Sequence, residues 1–328
     1  MTFVTARPIT VKDPTYGSIT LSVHEQGDGP AVVFSHGFPE LAYSWRHQLP
    51  AVAAAGFHAI APDQRGYGAS SAPEEIRAYG LGQLTGDLVG LLDALDIERA
   101  VFVGHDWGGF VVWAMGVLHP QRVAGIVGVC TPYTPFPGTE FLKMVFGDDV
   151  EKQYMLWFQK PGVAERVLDP RGRLVFEKLM RGGVDPTNFL KSAATGGGEA
   201  KRPAMNPFIN IETIDPGGKP IATAEEIDRY VAEFERTGFR GGINWYRNID
   251  ANGEAFPEIG KTVIDVPTLM ILAEWDPALP PALAKNMPSV CSDLEMATIA
   301  KAGHWVQQES PDEVNAVLID WLTRHFGG

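Results

Sequence analysis

The segment Val101-Phe102-Val103-Gly104-His105-Asp106-Trp107-Gly108-Gly109-Phe110 constrains this chain more than any other. An apolar, β-branched run enters a glycine-rich turn and leaves at once into an apolar stretch of helical character. A strand, a tight turn and a helix in that order form the unit of a parallel sheet covered by helices. The turn reads Gly-x-Asp-x-Gly, the frame of the nucleophile elbow with Asp where Ser is usual. Its glycines matter because an elbow residue sits in strained backbone and its neighbours must lack bulk. A carboxylate there is ionised at neutral pH and attacks without a base. It yields an ester whose carbonyl belongs to the protein, so water must then attack the protein's own carbon. A plain strand–helix turn with Asp106 as an N-cap is the competing reading of this segment taken alone.

The same alternation runs through the first 130 or so residues. Strands are expected at Ile19–Val23, Ala31–Ser35, His58–Ala61, Ala100–Val103 and Val123–Val129. Helices are expected at Tyr43–Ala55, Leu84–Leu95 and Phe110–Leu118, the second with a stripe of Leu84, Leu88, Leu91, Leu92 and Leu95. From about Tyr133 to Asp265 the spacing is helical, with Ala193–Lys201 and Asp215–Pro220 as the clearest loops and no convincing strand. Alternation resumes with strands at Val266–Ala273 and Leu294–Ile299, and closes with a helix at Pro311–Phe326. The expected architecture is an α/β fold with a mostly parallel eight-stranded sheet and an inserted helical cap. Residues 1–133 and 263–328 form its core and 134–262 the cap.

The 328 residues carry 27 Lys and Arg against 40 Asp and Glu, a net charge of −13. Nucleic acid and anionic membrane are thereby excluded as partners, since both need a basic footprint. No run approaches the roughly 18 apolar residues that span a bilayer. The first residues lack a basic start followed by an apolar core, so a cytoplasmic protein is expected. The two cysteines, Cys130 and Cys291, exclude a disulfide framework or a Cys-rich zinc site and read as small buried hydrophobes. No cluster with metal-ligand spacing is present, so neither a metal nor a cofactor is expected.

An ester on Asp106 needs a base, and the base needs an acid to orient it. His304 lies in Lys301-Ala302-Gly303-His304-Trp305, just after the strand Leu294–Ile299. Asp276 lies at the carboxyl end of the preceding strand, in Ala273-Glu274-Trp275-Asp276. The chain order of nucleophile, acid and base is the α/β-hydrolase order, and all three fall at carboxyl ends of strands. Glu274 is the rival acid, on the same strand face but deeper in the sheet. His36-Gly37-Phe38-Pro39-Glu40 follows the strand Ala31–Ser35. Its Phe38 N–H and the Trp107 N–H are the expected oxyanion donors, Pro39 having none. His36 reads as a structural loop residue, His105 as a local hydrogen-bonding or packing residue. Asp63-Gln64-Arg65-Gly66-Tyr67-Gly68 reads as a structural hydrogen-bond network.

HGFPE, DQRGYG, GHDWGG, AEWD and GHW, in this order, resemble the α/β-hydrolase-fold epoxide hydrolases of the soluble type. The resemblance spans nearly the whole chain, although the core motifs alone are shared with haloalkane and haloacid dehalogenases. In the cap, the segment from Tyr154 to Glu165 and Asn244-Trp245-Tyr246-Arg247-Asn248 resemble the family's two tyrosine segments, which places those tyrosines at Tyr154 and Tyr246. Two phenols of pKa about 10 can hold and protonate the alkoxide that ring opening creates. A dehalogenase is the alternative, yet the Asn or Arg expected of it at the positions of Phe38 or Trp107 is missing. A serine esterase has no elbow serine to use, and a non-catalytic ligand binder would be expected to lose a triad member. The resemblance therefore implies a cofactor-independent epoxide hydrolase acting on a small, apolar epoxide. Asp106, Asp276, His304, Tyr154 and Tyr246 would be catalytic, Phe38 and Trp107 would also line the pocket, and the enzyme would be a monomer or homodimer.

Overall fold

The computed structural model describes residues 3–183, 185 and 206–327. Eight strands make one sheet: β1 (Arg7–Asp13), β2 (Gly17–Gln26), β3 (Ala31–Ser35), β4 (His58–Asp63), β5 (Ala100–His105), β6 (Val123–Val129), β7 (Thr268–Ala273) and β8 (Leu294–Ile299). Their order across the sheet is β1-β2-β4-β3-β5-β6-β7-β8. Every ladder from β4 to β8 is parallel, while β2 pairs antiparallel with both β1 and β4. The central strands β3, β5 and β7 are buried along their whole length, as a sheet covered on both faces requires.

Among the described residues, the helices before β7 are α1 (Gln48–Ala54), α2 (Leu81–Ala94) and α3 (Trp107–Leu118), then α4 (Thr139–Phe146), α5 (Tyr154–Trp157), α6 (Val163–Leu168), α7 (Gly172–Leu179), α8 (Ala224–Thr237), α9 (Arg240–Tyr246) and α10 (Ile249–Ala255). After β8 come α11 (Val306–Glu309) and α12 (Pro311–Phe326). On one face of the sheet Trp45, Leu49, Val52, Val314, Leu318 and Trp321 pack against β3, β5 and β7. On the other, Leu84, Leu88, Val111 and Met115 begin an apolar cluster that continues without a break into Trp157, Phe176, Tyr230 and Phe239 between β6 and β7 in the chain. The helical insertion therefore shares a core with the sheet instead of sitting on it as a separate body.

Four expectations need correcting. The helix expected over Tyr43–Ala55 is a 3-10 turn, Ala42–Trp45, followed by α1. Pro50 explains the break, because it fits the first turn of a new helix but not the interior of an old one. Strand β1 has no counterpart among the expected strands. Its inward residues Ile9 and Val11 are only two apolar positions in a polar run, and pairing with β2 supplies the rest. The insertion is not free of strand, since Arg181–Gly182 pairs with Lys219–Pro220, inside the expected loop Asp215–Pro220. Glu274 is exposed rather than deep in the sheet, and its carboxylate accepts from the Lys301 N–H at 2.8 Å. The loop expected at Ala193–Lys201 lies outside the described residues.

Candidate active site

Asp106 stands between β5 and α3 with φ 51° and ψ −122°, a conformation that L residues adopt only under constraint. Close packing supplies the constraint. A Cβ on Gly108 would stand 2.0 Å from the Ser35 carbonyl oxygen, so only glycine lets α3 approach β3 there. The Thr131 hydroxyl, beyond β6, donates to the Asp106 carbonyl at 2.7 Å and holds the turn from the other side.

The two carboxylate oxygens of Asp106 have different surroundings. Oδ1 accepts the Phe38 N–H at 2.8 Å. Oδ2 faces Nε2 of His304 at 3.6 Å. The loop after β3 comes this close because residue 37 has no side chain; a Cβ there would stand 2.4 Å from Oδ1. The Trp107 N–H, first amide of α3, bonds to neither oxygen among the described residues, though it opens the positive end of that helix beside them.

His304 donates from Nδ1 to Asp276 Oδ2 at 2.8 Å, and Asp276 Oδ1 accepts the amides of Ala278 and Leu279 at 2.8 and 2.9 Å. Burial pushes the Asp276 carboxyl up, but His304 and the two amides outweigh it and hold it at about 2. Burial lowers the His304 ring, while Asp276 and Asp106 raise it by more, and the net is well above the usual imidazole value. Asp106, Asp276 and His304 are thus brought together from the ends of β5, β7 and β8.

Above them, Tyr154 opens α5 and Tyr246 closes α9. Their ring centroids are 5.6 Å apart and the rings meet edge to face at 76°. Burial pushes both phenols up, with the Asp106 charge adding to it, so both stay neutral. Tyr246 meets Trp107 at 5.1 Å and Phe38 at 5.4 Å between ring centroids, so both expected wall residues touch the tyrosine pair. Gln159 joins the two tyrosine segments by donating to the carbonyls of Met155 and Tyr246. Arg247 does the same through the Phe158 carbonyl, Asn244 and a 2.7 Å ion pair to Glu165.

His105 is not the local residue expected. Its Nδ1 meets Glu40 Oε2 at 2.7 Å and its Nε2 the His304 carbonyl at 2.7 Å. Both partners are acceptors, and the ring bridges them through its two nitrogens. Glu40 also accepts from the Gly37 N–H, Gln307 and Gln308. Burial pushes the Glu40 carboxyl up, but His105 and the Gly37 amide hold it at about 2. Sequence reasoning quoted Glu40 as a motif letter without a role. The available signal was a carboxylate in an apolar stretch with no nearby cation.

Three potential metal donors, His105, Cys130 and His304, come within 4.8 Å of one another, a grouping the sequence did not suggest. Both nitrogens of His105 are committed as described, and the Cys130 thiol donates to the His304 carbonyl at 3.4 Å. The cluster is therefore hydrogen-bonded to itself, and Cys130, though buried, is more than filler. His36 accepts the Gln64 N–H at 3.0 Å, and Arg65 pairs with Asp87 and Asp13, so the turn after β4 is a polar brace.

A strained carboxylate elbow, a His–Asp pair and a helical insertion over a parallel sheet define an α/β hydrolase, and the family described as "alpha/beta hydrolase fold" matches residues 30–311. Epoxide hydrolase A of Mycobacterium tuberculosis is 44% identical over 93% of this chain and 94% of its own length. The mouse bifunctional epoxide hydrolase 2 is 40% identical over 96% of the chain, which spans only 56% of that relative. The crystal structure of epoxide hydrolase A from Mycobacterium thermoresistibile superposes with a TM-score of 0.85 at 42% identity, covering 97% of this chain and 98% of that one. The chain belongs to the epoxide hydrolases of the α/β-hydrolase fold. Among the described residues no helix is long and apolar enough to cross a membrane.

Proposed function

We propose that the chain hydrolyses a small apolar epoxide to a vicinal diol through a hydroxyalkyl ester on Asp106, with residues 134–262 as its cap and 1–133 and 263–328 as its core. The observation that carries this reading is the division of the Asp106 carboxylate. Oδ1 is held by the Phe38 N–H, whereas Oδ2 accepts no backbone amide among the described residues and faces His304 Nε2 at 3.6 Å.

The steps follow from that division. The epoxide oxygen binds the two phenols, and Oδ2 attacks a ring carbon from behind. The carbon–oxygen bond breaks, and a phenol gives its proton to the alkoxide. Two carboxylates keep His304 protonated in the resting state. That proton returns to the phenolate through water. Esterification has meanwhile removed the Asp106 charge, so the ring drops back toward a base. His304, oriented by Asp276, then takes a proton from water, which attacks Cγ of Asp106. Oδ1 becomes the tetrahedral oxyanion already in the grip of the Phe38 N–H, with the Trp107 N–H as second donor. The Cγ–Oδ2 bond then breaks, His304 returns its proton to the departing alkoxide, and the acid left on Cγ gives its proton to His304, which restores the carboxylate and the protonated ring. Trp107 and Phe38 wall the pocket with aromatic surface, which suits an apolar substrate.

The test is intact-mass spectrometry of His304→Gln after incubation with epoxides and bromoalkanes. An adduct of whole-epoxide mass on Asp106 supports the reading. An alkyl adduct lacking bromide would move the chain to dehalogenase chemistry, and no adduct from any epoxide would remove Asp106 as nucleophile.

A further inference from the structure

We propose that Glu309 is a positioning residue, which ties the loop carrying His304 to the cap and on which hydrolysis of the Asp106 ester depends. The proposal rests on Asp106 as nucleophile and His304 as base. Glu309 ends α11, and its two oxygens serve two different parts of the molecule. Oε2 accepts the N–H of Gly303, the residue just before His304, at 2.7 Å. Oε1 accepts the N–H of Gly183, beside the short cap ladder, at 2.6 Å. The residue just after His304 makes a parallel tie, since Trp305 Nε1 donates to the Leu179 carbonyl at 2.6 Å. Both neighbours of His304 thus hold the same stretch of cap.

The contact is closely fitted. A Cβ on Gly182 would stand 2.4 Å from the carboxyl carbon of Glu309, and one on Gly303 would stand 3.2 Å from Oε2. Hydrogen bonds from amides to a carboxylate are stronger than neutral ones, and two to one rigid group fix both distance and angle. Asp276 and His105 hold the ring and the carbonyl of His304. Glu309 and Trp305 set where that loop lies relative to the cap, under which the substrate and attacking water sit.

The two chemical steps respond differently. Ring opening uses Asp106 Oδ2 and the two phenols, none of which Glu309 touches. Ester hydrolysis needs Nε2 of His304 aimed at a water on Cγ of Asp106, and small displacements of a base are expensive in rate. Loosening the tie therefore slows the second step alone.

Single-turnover stopped-flow tryptophan fluorescence with styrene oxide, with intact mass run in parallel, separates the steps. Glu309→Ala should form the ester within about twofold of the normal rate and hydrolyse it about tenfold more slowly, so ester accumulates at steady state. Glu309→Gln retains one acceptor oxygen and should recover part of the lost rate. Trp305→Phe, which removes the Leu179 tie while keeping an aromatic ring against His304 and His105, should show the same selectivity and covers the case in which Glu309→Ala fails to fold. Equal losses in both steps, or unchanged hydrolysis in Glu309→Ala and Trp305→Phe, overturn the proposal. If the wild type forms no ester on Asp106, the underlying assignment of nucleophile and base falls instead.

Discussion

His105 donates from Nε2 to the backbone carbonyl of His304 at 2.7 Å, so the residue beside the elbow carboxylate holds the backbone that carries the His304 ring. Its other nitrogen is on Glu40, two residues beyond the Phe38 amide that holds Asp106. Asp106, the Phe38 amide and His304 are therefore fixed to one another through a single buried polar cluster. Buried carboxylates are costly unless well partnered, and Glu40 accepts from Gly37, Gln307 and Gln308 and lies 2.7 Å from His105 Nδ1.

Asp106→Ala should lose at least about 10³-fold in turnover and show no covalent adduct, because nothing nearby replaces the attacking oxygen. Steady-state diol formation and intact mass check it together. A rate within tenfold of wild type would refute Asp106 as nucleophile.

The phenol pair should behave as two donors on one oxygen. Tyr154→Phe and Tyr246→Phe should each cost about 10²-fold in ring opening and the double variant at least about 10³-fold. Far-UV circular dichroism should remain that of the wild type, since a hydroxyl is all that is removed. A double variant that opens epoxides normally would show that the alkoxide is protonated elsewhere.

Gly37→Ala tests the approach of the loop to the carboxylate. A Cβ 2.4 Å from Oδ1 must push the loop or the carboxylate aside and break the Phe38 bond. The expected loss in turnover is about 10²-fold, that of one oxyanion donor. Full activity with an unchanged melting temperature would mean that Phe38 contributes nothing in the transition state.

Acid should destabilise the fold through Glu40. Its carboxyl is depressed from 4.5 unfolded to about 2 folded. A depressed acid stabilises the fold above its unfolded pKa, and that contribution is lost as pH falls through its folded pKa. Thermal melts should fall between about pH 4.5 and 2, and Glu40→Gln should flatten that slope although its melting temperature at pH 7 is lower. The same slope in both proteins would mean that Glu40 is not ionised in the fold.

The alternation of strands and helices, the elbow, and the chain order of Asp106, Asp276 and His304 are all legible in the amino-acid sequence. Each rests on local patterning: periodicity, glycines around a strained residue, and polar residues where apolar strands end. It also supplied Tyr154 and Tyr246 as candidates, through the segments around them. The pairing of His105 with Glu40 and the His304 backbone, the place of Cys130 against the same carbonyl, and the completion of the sheet by β1 come from long-range packing. The same packing sets which Asp106 oxygen takes the Phe38 amide and which faces His304, and joins Glu309 to Gly303 before His304 and to Gly183 in the insertion. Those relations link residues far apart in the chain through hydrogen bonds whose partners have no sequence period. A carboxylate in an apolar stretch announces that it needs partners, and only the packed fold supplies them.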